Sequence, residues 1–162
     1  MINTDLINTD KISENHSTLL YADLTYKIRG AIFSVYNELG FGHKENVYQK
    51  ALAVELESLK IAYGMESNLK VKYKGKNIGN YRPDITVEGK IILELKAVEF
   101  MPKTFETQLV NYLKTTGYQL GLLVNFGAPK LYIKRLVWTD YPRKSASNQR
   151  ESVNNQRKSN KV

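Results

Sequence analysis

Apolar positions along the chain change period several times, and each change marks an element. Leu24, Ile28, Ile32, Val35 and Leu39 recur at helical spacing, and Gly40 closes the run as a helix C-cap would. After the turn Gly40-Phe41-Gly42, a second helix is predicted over about 44–61, burying Val47, Ala51, Leu52, Leu56 and Leu59. Alternating or compact apolar runs then predict strands at 69–73, 78–81, 85–87 and 91–98, with Gly75 and Gly89 as turn residues. Pro102 and Thr104 open a third helix whose stripe is Phe105, Leu109, Tyr112 and Leu113. The almost continuously apolar stretch 118–126 reads as a buried strand, and Gly127-Ala128-Pro129 turns the chain into a last one at 131–138. The order ααββββαββ, with a strand on each side of the third helix, predicts a βαβ crossover. The fold class is therefore α/β, a mixed central sheet flanked by helices.

Between Arg82 and Lys96 the pattern carries chemistry. Ile85, Val87, Ile91, Leu93 and Leu95 occupy odd positions and alternate with Asp84, Thr86, Glu94 and Lys96. A strand's side chains point alternately to its two faces, so period two separates an apolar face from a charged one. Gly89 supplies the reversal between the two strands. If both apolar sets share a face, Asp84 lies on the same face as Glu94 and Lys96, whereas a one-residue slip would separate them. Two carboxylates beside an ammonium suit a hard divalent cation bound through oxygen. The plain alternative is a cross-strand ion pair worth ~0–1 kcal/mol.

These residues also carry a resemblance. Pro83-Asp84, then nine residues, then Glu94-Leu95-Lys96 resembles the signature of the PD-(D/E)XK nuclease superfamily. Gly42-His43-Lys44-Glu45-Asn46-Val47-Tyr48 is similar to the motif of its GxxExxY branch, and Gln108-Leu109-Val110-Asn111-Tyr112 to the QxxxY element of RecB-type members. The resemblance spans about residues 24–138 and implies a restriction-endonuclease-like core. It implies Mg²⁺ or Mn²⁺ held by Asp84, Glu94 and the Leu95 carbonyl, with Glu45 as a candidate third carboxylate. Lys96 would act as base or charge stabiliser, with Glu45, Gln108 and Tyr112 in support. From the residues alone, Glu45 is equally a helix-dipole partner and Tyr112 equally plain core. Gln108, set among apolar neighbours, needs polar partners if buried.

Composition narrows the field. At 162 residues the chain suits one domain, expected over 21–140, after a flexible N-terminal arm at 1–20. It has no cysteine, which excludes disulfides and thiolate metal sites. His16 and His43 lack ligand spacing, and no GxxxxGKS phosphate cradle is present. The first residues do not look like a signal peptide, and no apolar run approaches the ~20 residues of a membrane span, so a cytoplasmic location away from membranes is expected. Of the net charge of +8, +5 falls in residues 141–162, expected to be a disordered basic tail. Lys70, Lys72, Lys74 and Lys76 alternate through a hairpin; a solvated edge that resists aggregation is preferred there over a phosphate-tracking surface.

The expected function is a metal-dependent nuclease, a hydrolase acting on DNA rather than RNA. With no recognition domain visible, structure- or end-directed cutting is favoured over sequence-specific cutting. The alternative is a non-catalytic nucleic-acid- or protein-binding module on the same scaffold. A homodimer or a larger protein partner is compatible with either.

Overall fold

The structure, a computed structural model, describes residues 19–139. Most of the expected N-terminal arm, His16 and the basic tail lie outside the described residues. In chain order the elements are α1 (Ala22–Leu39), α2 (Glu45–Ser58), β1 (Tyr63–Met65), β2 (Leu69–Tyr73), β3 (Lys76–Tyr81), β4 (Ile85–Val87), β5 (Ile91–Lys96), α3 (Lys103–Thr116), β6 (Leu120–Asn125) and β7 (Tyr132–Val137). Five strands form one sheet in the order β1-β4-β5-β6-β7, while β2 and β3 make a separate two-stranded ribbon. Only β5 and β6 are parallel, joined across α3, as the predicted crossover requires.

Two apolar layers hold the sheet. On one face Ile85, Val87, Ile91, Leu93 and Leu95 pack with Leu120, Leu122 and Val124 under α1 and α2, against Ile28, Ile32, Tyr48, Leu52 and Leu56. On the other, Ile92 and Leu123 meet Leu109 and Leu113 of α3 and Tyr81 of the ribbon. The face of β5 expected to be charged thus also carries one apolar residue of its three. Ile92 is fully buried there, and only the C-terminal end carries Glu94 and Lys96.

The structure corrects the sequence-based expectation in three places. One strand more precedes α3 than expected, because β1 contains only Tyr-Gly-Met, too short to show a period; its pairing with β4 reveals it. The ribbon stands outside the main sheet, since alternation predicts a strand but not its sheet. In α2 the buried side chains are Tyr48, Gln49, Leu52, Ala53 and Leu56, whereas Val47 and Leu59 are 38% and 44% exposed. The helix ends at Ser58, and its inward face follows the Tyr48-Leu52-Leu56 row, spaced four residues apart.

Local chemistry sets the ends of the elements near the site. Glu88 and Gly89 both take positive φ (49° and 64°), the geometry of a primed turn, and Lys90 N–H closes it onto the Val87 carbonyl. Beyond Lys96 the β5–β6 ladder gives way to a side chain. Asn125 accepts from Val98 N–H (3.0 Å) and Gly127 N–H (3.0 Å) and donates to the Val98 carbonyl (2.8 Å). This buried clamp fixes the backbone immediately after Lys96.

Candidate active site

The register Ile85↔Leu93 places Asp84, one residue before β4, opposite Glu94. Asp84 Oδ2 accepts from Leu95 N–H at 2.6 Å, so the carboxylate is tied to the peptide between Glu94 and Lys96. The Lys96 carbonyl accepts from Phe126 N–H and so faces β6. Carbonyls alternate in direction along a strand, which turns that of Leu95 toward the Asp84 side. Behind Asp84, the buried Gln49 of α2 donates from Nε2 to the Asp84 carbonyl at 3.0 Å.

Glu94 is held from two directions. Its Oε1 accepts from Lys96 Nζ at 2.9 Å and its Oε2 from the Tyr81 hydroxyl at 2.6 Å. The Tyr81 ring stacks on Tyr112 of α3, with centroids 3.5 Å apart and planes 4° from parallel. Lys96 Nζ also lies 5.3 Å from the centre of the Phe105 ring. Gln108, exposed on α3, lines the narrow crevice formed by Tyr81, Glu94, Lys96, Phe105, Leu109 and Tyr112.

Electrostatics link these groups. Burial lifts the Asp84 carboxyl to about 6; the Leu95 N–H and Lys96 pull it down, while the charges of Glu94 and Glu45 add to the rise. Burial pulls Lys96 down, but the hydrogen bond and charge of Glu94, then the charges of Glu45 and Asp84, outweigh it and hold the ammonium above the ordinary lysine value. Burial and the neighbouring Glu94 push the Tyr81 phenol far up, so it remains a hydrogen-bond donor. Glu45, the first residue of α2, is half-buried; both Asp84 and Lys96 feel its charge.

The structure thus groups Asp84, Glu94, Lys96 and Gln108, sets Glu45 within electrostatic reach, and joins Tyr112 to the site through Tyr81. Tyr48 plays a different part. It is fully buried and stacked on Phe126 (centroids 4.5 Å apart), and its hydroxyl donates to the Gly40 carbonyl and accepts from His43 N–H. The hydroxyl therefore braces the loop that leads into Glu45. Two contacts were not anticipated from the sequence. Tyr81 lies thirteen residues from its partner Glu94, and Gln49 thirty-five from Asp84, so spacing carried no signal for either.

A family model described as the PD-(D/E)XK nuclease superfamily matches residues 22–136. The chain belongs to this superfamily. Its mixed sheet with flanking helices is accordingly the restriction-endonuclease-like fold. Among solved structures, a crystal structure of SSO0001 is 14% identical, with a TM-score of 0.47, covering 84% of this chain and 68% of that one. No curated protein matches the chain.

Nucleases of this superfamily typically use divalent metals. As the side chains stand, no three His, Asp or Glu groups among the described residues are clustered to hold an ion. The donor chemistry nevertheless fits. Asp84, Glu94 and the Leu95 carbonyl are oxygen donors of the kind hard cations take. Burial is the main cause of the raised Asp84 carboxyl, and the charges of Glu94 and Glu45 add to the rise against the opposing ammonium of Lys96.

Proposed function

We propose that the protein is a divalent-metal-dependent nuclease of the GxxExxY branch. It would hydrolyse DNA phosphodiester bonds with structure or end preference, through a catalytic domain spanning 21–140 and in the cytoplasm. The supporting observation is the fastening of Asp84 to the Leu95 N–H, which puts two carboxylates and an ammonium at one end of β5.

Hydrolysis forms a bond from water oxygen to phosphorus, breaks the bond to the leaving sugar oxygen, and delivers a proton to that oxygen. Mg²⁺ or Mn²⁺ held by Asp84, Glu94 and the Leu95 carbonyl would supply positive charge to the phosphoryl oxygens and acidify water. Lys96, kept charged by its acidic neighbours, suits charge stabilisation better than proton abstraction. Gln108 faces the same crevice and can orient a phosphate oxygen. Tyr81 and Gln49 act as positioning residues, one on Glu94 and the other on the Asp84 backbone; Tyr112 supports Tyr81, and Glu45 adds negative charge on the α2 side.

Purified protein with DNA and Mg²⁺ or Mn²⁺ should nick or degrade it, and Asp84→Ala and Lys96→Ala should abolish cutting. Equal activity in those variants would remove the mechanism. The engagement of both Glu94 oxygens favours one rival, a non-catalytic nucleic-acid- or protein-binding module. That rival predicts no cutting and no shift of the melting midpoint with Mg²⁺.

A further inference from the structure

The charge of the folded body is concentrated in one element. Residues 19–139 carry seventeen basic and eleven acidic side chains, a net of +6. Between Ser67 and Pro83 stand Lys70, Lys72, Lys74, Lys76 and Arg82 with no acidic residue, so the ribbon and its exit account for +5 of that +6. The rest of the described surface is close to neutral.

The ribbon is a two-stranded element separate from the main sheet, so both its strands are edges, and its lysines are set apart by where they point as well as by the edges they occupy. Leu69 and Val71 face α3 and the second apolar cluster, while Lys70 and Lys72 are exposed on the opposite side. Lys74 and Gly75, with φ of 47° and 77°, form the tight turn that carries Lys74 and Lys76 at the tip, beside the 60%-exposed Tyr73. Among the described residues, none of the four lysines is ion-paired. The ribbon also ends at the chemistry, because its last residue, Tyr81, bonds Glu94, and Arg82-Pro83 leads directly into Asp84.

We infer that the β2–β3 ribbon is the arm that grips the phosphodiester backbone of the nucleic acid and leads it to Asp84 and Glu94. This rests on the nucleic-acid reading above and adds where, and by which charges, the polymer is held. Charge at this density acts by releasing counterions, each neutralised phosphate contributing ~0.9 to the salt slope on duplex DNA and ~0.7 on single strands.

The test is equilibrium binding of the full chain to labelled duplex DNA, single-stranded DNA and RNA of equal length, in EDTA, across a salt series. Replacing Lys70, Lys72, Lys74 and Lys76 together by Gln should lower the duplex slope by about 3–4, and the single-strand slope by about 3. Wild type should then lose roughly 100-fold more duplex affinity than this variant between about 50 and 200 mM salt. The four-fold Arg variant should retain the wild-type slope, and Lys74→Gln with Lys76→Gln alone should remove about half the effect. A Gln variant whose slope matches wild type on all three polymers overturns the inference and moves the grip elsewhere, for instance to residues 141–162. Wild type that binds with the stated lysine dependence yet leaves DNA uncut with Mg²⁺ supports the arm and refutes the nuclease.

Discussion

Asp84→Asn should make the metal-free protein more stable near neutral pH while silencing it as a nuclease. Burial is the main cause of the rise of this carboxyl to about 6 from its ordinary 3.8. A raised pKa in the folded state means that the fold holds the proton more tightly than the unfolded chain does. Stability is therefore greatest with Asp84 protonated, declines as pH rises from 3.8 to about 6, and stays lower above. A gap of about two units corresponds to at most about 3 kcal/mol, and the partial exposure of Asp84 reduces this to about 1–2 kcal/mol. Asn is isosteric and still accepts from Leu95 N–H, so it removes the charge and keeps most of the geometry. For a body of this size the gain is roughly 4–8 °C in melting midpoint at about pH 8 in EDTA. At about pH 3, below both the ordinary and the raised value, Asp84 is protonated in the folded and unfolded chain alike, and the advantage should nearly vanish. Circular-dichroism melts of both proteins at both pH values decide the matter. An Asn variant that melts at or below wild type at about pH 8, or keeps the same advantage at both, refutes the electrostatic account of this site.

Three further substitutions probe its supports. Tyr81→Phe removes the donor to Glu94 but keeps the stack on Tyr112; kcat should fall about tenfold, with about 1–2 kcal/mol lost in denaturant melts. Gln49→Leu removes one of two donors to the Asp84 carbonyl, which keeps Glu66 N–H at 3.1 Å, and should cost about 1 kcal/mol, with weaker Mg²⁺-dependent stabilisation in thermal shift. Gly127→Ala would set a Cβ 2.2 Å from Val98 N, a clash with backbone rather than with a movable side chain. It should cost more than ~3 kcal/mol, seen as poor expression or a steep fall in midpoint.

Much of this architecture was legible because it is periodic. The Leu24–Leu39 stripe, the α3 stripe and the odd-numbered apolar set around Gly89 each lie in the layer their spacing predicts. The same register argument anticipated the meeting of Asp84 with Glu94, since Ile85 and Leu93 had to share a face. What escaped was either short or long-range. Tyr63–Met65 shows no repeat, and Val47 and Leu59 are apolar by type yet fall outside the buried row of α2. Nothing local announces that Tyr81 and Gln49 meet the acidic residues, because tertiary packing alone brings them there. The lysine ribbon was visible as a pattern, but its separation from the main sheet was not.

The position of the site between two apolar clusters has a kinetic corollary. Leu95, whose N–H holds Asp84, belongs to the layer beneath α1 and α2, whereas Tyr81, which holds Glu94, and Tyr112 belong to the layer built by α3 and the ribbon. Neither layer alone can assemble the acidic group, so competence should arrive only once both have condensed onto the sheet. A lesion that loosens the α3 side would then leave a chain with native-like helicity and a sound first layer that nevertheless cuts nothing.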